Sequence, residues 1–166
     1  MKRILIILTL LCLIAFHAKG QDVFNEIYRL SEKAANDRSN TIEDRRINTF
    51  KVDALSYMKT KTLELMLEKG NDIGKVLNDS TVNKLNHQAY AMYAYINLFL
   101  KRMARCDKES QLNKVKRVFK ETSINNPMYN DPDKDLVQAY CDNKDFVTQF
   151  SLDTDWEKAL DEVMGK

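Results

Sequence analysis

Val82, Leu85, Ala89, Met92, Ile96, Phe99, Met103 and Cys106 recur in alternating steps of three and four residues. That spacing gathers their side chains on one side of a single α-helix. A helix this long with one apolar side needs several neighbours to cover it, so the pattern predicts an all-α, single compact domain of about five helices packed around this central one. A lone coiled coil fits less well, because the other periodic segments are shorter and broken. Tyr90, Tyr93 and Tyr95 flank the stripe and are expected to shield the core with their hydroxyls outward.

The chain opens with a different kind of segment. Lys2 and Arg3 precede an apolar run from Ile4 to Phe16, followed by Ala18-Lys19-Gly20 with small residues where a signal peptidase reads. Residues 1–20 therefore read as a secretory signal and residues 21–166 as the helical domain. The run is too short and wrongly flanked for a membrane span, and none is expected after its removal. Cys12 follows Leu11 rather than the small residue that lipoprotein processing prefers. The expected location is periplasmic or extracellular.

Removing the label changes the electrostatics. Residues 1–20 hold three of the 26 basic residues and none of the 24 acidic ones, leaving 23 against 24 and a net charge of about −1. A nucleic-acid partner loses its bulk electrostatic argument. Only Gly70, Gly74, Gly165, Pro127 and Pro132 then remain as breakers, which favours long helices.

The first helix is expected over residues 22–36, with Val23, Ile27, Leu30 and Ala34 recurring at helical spacing. Thr41, with Asp44 three positions on, opens a second helix carrying Ile47, Phe50, Ala54, Tyr57, Met58 and Leu65 and ending at Lys69-Gly70. Leu112, Val115, Phe119 and Thr122 mark another, and an irregular stretch with Pro127 and Pro132 leads to a short helix bearing Leu136, Val137, Tyr140 and Cys141. A final helix follows Asp153-Thr154-Asp155 and contains Trp156, Leu160 and Val163.

Cys106 and Cys141 are the cysteines outside the label. Export would let them form a disulfide stapling the C-terminal region, adding about 4 kcal/mol on a chain-entropy argument. Two separate buried thiols are the alternative. His87 lies nineteen residues from Cys106 along one expected helix, nearly 30 Å away at about 1.5 Å per residue, so they cannot form a catalytic dyad. Asp131-Pro132-Asp133-Lys134-Asp135 resembles the start of a calcium loop, but Leu136 stands where the turn glycine belongs and Lys134 adds positive charge. No metal or cofactor is expected.

Lys101, Arg105 and Lys108 are expected on one helical face, within a basic stretch that continues through Lys114, Lys116, Arg117 and Lys120. A solvated flank explains them, and an anionic glycan or envelope surface is the functional alternative. Asn78-Asp79-Ser80 is an N-glycosylation sequon. Asp79-Ser80-Thr81 is similar to the short O-glycosylation acceptor of Bacteroidetes, and Asp79 or Ser80 would also serve as a helix cap.

Thr148-Gln149-Phe150-Ser151-Leu152-Asp153-Thr154-Asp155-Trp156, with Asn126-Pro127-Met128-Tyr129 and the leading label, resembles the small exported helical proteins of gut Bacteroidales. The resemblance implies an exported helical domain and carries over no catalytic residue. Physically, the segment delivers Phe150, Leu152 and Trp156 to the core; exposure of Trp156 as a partner-binding edge is the alternative.

The combined expectation is an exported, non-enzymatic helical protein that binds a protein, glycan or envelope component. A hydrolase using Glu64 or Glu68 with Asp131 or Asp135 is the enzymatic alternative. A structural or inhibitory envelope factor is the third.

Overall fold

Leu85, Ala89, Met92, Ile96 and Phe99 are all buried, and the helix that carries them touches four others. A computed structural model describes residues 22–68 and 79–166. Within them six helices follow in order: α1 Val23–Asn36, α2 Ile42–Glu68, α3 Asp79–Met103, α4 Glu109–Asn125, α5 Lys134–Val137 and α6 Trp156–Met164. No strand occurs among the described residues, where one isolated bridge joins Pro127 to Thr154. Central α3 packs against α1, α2, α4 and α6, while α1 also lies along α2, and α6 also meets α4. The domain is all-α, as the periodicity predicts.

Most helix starts follow from local chemistry. The Asp22 side chain accepts from the Asn25 amide and caps α1. The Thr41 hydroxyl accepts the Asp44 amide at 3.0 Å and donates to the Asp44 carboxylate at 2.6 Å, so the expected opening of α2 forms. Asp133 and Asp155 cap α5 and α6. Gly165 ends α6 at φ 75°, a left-handed position that a side chain would strain. Asp79 and Ser80 are both helical, at the start of the described part of α3. The expected stop at Lys69-Gly70, the sequon asparagine Asn78 and the leading label fall outside the described residues.

Two expectations about apolar residues are corrected. Tyr95 is fully buried, and its hydroxyl donates to the Phe119 carbonyl at 2.6 Å. With four neighbours, α3 buries a second stripe through Gln88, Ala91 and Tyr95 beside the first. Leu65, expected on the packed face of α2, is exposed, because the buried part of that helix ends at Met58.

Phe50, Tyr95, Phe99, Phe119, Phe150 and Trp156 form one aromatic core with mostly edge-to-face contacts, including Tyr95–Phe119 at 4.9 Å and Phe99–Phe150 at 5.2 Å. Such pairs contribute about 0.5–1.5 kcal/mol each beyond burial. Trp156 is 0 % exposed, with its ring 5.6 Å from Tyr95 and 6.1 Å from Phe50. It is a core residue, and the partner-binding alternative for Trp156 is overturned.

The segment before α6 is buried without being helical, so its backbone polar groups need partners from elsewhere. The Ser151 amide donates to Ser123 Oγ at 2.8 Å, the Leu152 amide to the Val137 carbonyl at 2.8 Å, and the Asp155 amide to the Asn126 carbonyl at 2.7 Å. The Met128 amide donates to the Asp153 carbonyl at 2.6 Å. The Thr148–Trp156 segment is thus a plug stitched to α4 and to the 126–128 and α5 region.

The cysteine staple is also corrected. Both cysteines are free thiols, Cys106 half-buried and Cys141 buried. Helix α3 stops at Met103 and the chain turns, with the Cys106 amide on the Met103 carbonyl at 3.0 Å, so Cys106 leaves the inward stripe. Its thiol donates to the Arg102 carbonyl at 3.3 Å instead.

Candidate functional site

A groove of about 470 Å³ opens where α1, α3 and α6 meet. Val23, Ala91 and Leu160 give it apolar walls, Tyr90 adds an aromatic one, and His87, Glu157 and Asp161 supply its polar lining. Two buried or half-buried amides set its shape. Asn86 Oδ1 accepts the Phe24 amide at 2.8 Å and fixes the start of α1 on α3. Gln88 Oε1 accepts the Trp156 amide at 2.8 Å, while its Nε2 donates to Asp155 at 2.9 Å and Glu157 at 3.1 Å. That clamp fixes the start of α6 and orients the Glu157 carboxylate. His87 Nδ1 lies 3.6 Å from the other Glu157 oxygen, both side chains being well exposed.

The carboxylates of the hydrolase alternative lie elsewhere. Asp131 is buried and accepts from the Tyr57 hydroxyl at 2.8 Å, Lys61 Nζ at 3.0 Å and the Asp133 amide at 3.0 Å. Burial opposes its ionisation, but the Asp133 amide, Tyr57 hydroxyl and Lys61 ammonium outweigh that and hold its carboxyl below the usual range. Lys61 also contacts Glu64 at 2.8 Å. Hydrogen bonds to Glu64 and Asp131 raise the Lys61 pKa, while burial, followed by the bond to Asp131, raises that of Tyr57. Glu64 and Asp131 are therefore brought together with a protonated lysine between them. This is an ionic tie in which Lys61 bridges the two carboxylates. Glu68 and Asp135 are exposed and stand outside this tie.

Asp131 and Asp133 point to different tasks, one tying α2 to the loop and the other capping α5. No group of three or more metal-ligating His, Cys, Asp or Glu side chains occurs among the described residues.

Lys101, Arg105 and Lys108 are exposed, but they do not share a helical face. Lys101 is in the last turn of α3, Arg105 in the turn beyond it, and Lys108 is the residue preceding α4. Nearby Arg102 is structural: it donates to the Val163 carbonyl at 2.8 Å and lies over the Phe119 ring at 5.3 Å. Lys120 donates to the Cys141 carbonyl and Asp142. Ser80 is exposed and Thr81 buried.

The groove residues other than Val23, His87, Tyr90 and Leu160 draw no attention in the sequence. The useful signal is Gln88, a polar residue on the same helical side as Ala91 and Tyr95. No helix among the described residues is long and apolar enough to cross a membrane. No protein-family profile, curated protein or solved structure matches this chain.

Proposed function

We propose that this chain is an exported, non-enzymatic binding protein and that the groove between α1, α3 and α6 is its binding seat. The observation that carries this reading is a concave site with apolar walls and oriented polar groups, the combination that binding pockets share. The alternative acid pair is engaged in an ion pair with Lys61. Export is supported by the basic and apolar pattern of residues 1–20, and kinship with small exported Bacteroidales proteins by the Thr148–Trp156 and Asn126–Tyr129 segments.

The test is parallel affinity capture from envelope and culture extracts with the wild-type chain and with Leu160→Trp, which fills the groove from a half-buried position. A protein or glycan retained by the wild type and lost with the folded variant supports the seat. Equal retention by both, or none by either, overturns it.

The exposed cations Lys101, Arg105 and Lys108 favour a second reading, an anionic glycan held between the end of α3 and the start of α4. Retention on a sulfated polysaccharide column should fall in the triple alanine variant; unchanged retention removes this reading.

A further inference from the structure

We propose that the groove between α1, α3 and α6 receives a basic side chain of a partner polypeptide, an arginine or lysine flanked by aliphatic residues. This rests on the groove being the binding seat. Val23, Ala91 and Leu160 match an aliphatic stem and its apolar neighbours, while no lysine or arginine lines the site. Glu157 and Asp161 stand four residues apart on α6, so both carboxylates project from neighbouring positions on one helical face. Glu157 is oriented by Gln88, and the Asp161 carboxylate makes no hydrogen bond or ion pair among the described residues. Tyr90 adds an aromatic face of the kind that attracts a cation.

Charge complementarity selects among occupants. An anionic polymer would meet two carboxylates, and an uncharged apolar segment would leave that of Asp161 beside it without a partner. A basic side chain satisfies both halves of the site, its stem on the apolar walls and its head at the acids. The volume of about 470 Å³ suits one such side chain and parts of its neighbours.

The experiment uses the protein expressed from its full-length sequence and two probes, N-acetyl-leucyl-arginyl-leucinamide and its citrulline counterpart, which lacks the charge. Amide NMR shifts are followed during titration. The arginine peptide should produce saturable shifts at residues 86–91 and 157–161, and the citrulline peptide should bind about tenfold more weakly. The double variant Glu157→Gln, Asp161→Asn should erase that difference, while a spectrum unperturbed away from α6 and from residues 86–91, which touch Glu157, reports an intact fold.

Equal binding of the two peptides, or shifts confined to another surface, would overturn the cationic preference. If neither peptide binds but Leu160→Trp still abolishes capture from extracts, the seat stands and its assignment to a basic side chain falls. Loss of both results removes the seat as well. Concentration-dependent self-association that Leu160→Trp abolishes and the double acid variant leaves intact would give the groove to an apolar part of a second copy of this chain and likewise overturn the proposal.

Discussion

Gln88 holds the first amide of α6, accepting the Trp156 N–H at 2.8 Å from a position on α3 sixty-eight residues away. The same side chain donates to Asp155, the residue that caps that helix, and to Glu157 in its first turn. A neutral amide is the one side-chain chemistry here that can accept from a backbone amide and donate to two carboxylates. Local capping, core placement of Trp156 and the shape of the groove thus depend on one buried residue.

Replacing Gln88 with Met keeps the bulk and removes all three hydrogen bonds, leaving the Trp156 amide buried without its partner. A loss of about 2–3 kcal/mol is expected in urea unfolding. Gln88→Glu should cost more at pH 7, because a carboxylate can accept from Trp156 but repels Asp155 and Glu157. A glutamate variant as stable as wild type would show that the three contacts do not act as a clamp.

The tie between Asp131, Tyr57 and Lys61 joins α2 to the loop before α5. Asp131→Asn retains the shape but removes the charge, and about 2 kcal/mol of stability should be lost at pH 7. Since the folded-state pKa of Asp131 lies below its ordinary 3.8, its ionic contribution is present above that value and fades as pH falls toward the lowered one. The gap between wild type and variant should therefore be constant from pH 5 to 7 and close on acidification below about 4. Urea midpoints across that range check it, and a gap that widens in acid contradicts the tie.

The architecture was legible where periodicity alone decides the outcome. Leu85, Met92 and Phe99 are spaced for one side of a helix, and they are buried. The second stripe was harder to read because Gln88 is polar and Tyr95 carries a hydroxyl; each is buried through a partner distant in sequence, Trp156 and Phe119 respectively. Cys106 misled for the opposite reason. Its spacing continues the stripe, but the backbone leaves the helix at Met103, which an apolar period does not register. The groove was illegible as a unit because Val23, Ala91 and Leu160 come from three helices.

Lys51 is buried on α2, with Asn48 Oδ1 at 3.3 Å and its ammonium 5.4 Å from the centre of the Tyr93 ring. Burial pushes its pKa down from 10.5 to about 8, with partial opposition from Asp44. Between those values the unfolded chain holds a proton that the folded chain has released, so stability rises with pH; below about 8 the full cost of burying the cation is present. Tyr93 offsets part of that cost, leaving about 2 kcal/mol to be recovered by Lys51→Met at neutral pH. The advantage of the variant should shrink from pH 8 to 10.5. Equal urea midpoints for the two proteins at pH 7 would show that the tyrosine ring and Asn48 compensate the burial completely.

The two thiols should behave as independent groups. Cys141 is buried, and that burial pushes its thiol up to about 11, so little thiolate forms near neutral pH and little reagent reaches it. Cys106 is half-buried just beyond the end of α3, where solvent has partial access. Under native conditions an alkylating reagent should therefore add one label, at Cys106, with Cys141 reacting only when urea opens the fold. Intact mass followed by peptide mapping reads both steps, with the leading segment and its Cys12 scored separately. Because no bond links Cys106 to Cys141, the melting temperature of the folded domain should be the same with and without reductant. A drop on reduction, or a mapped peptide joining the two residues, would show that they pair and that the turn after Met103 is drawn inward.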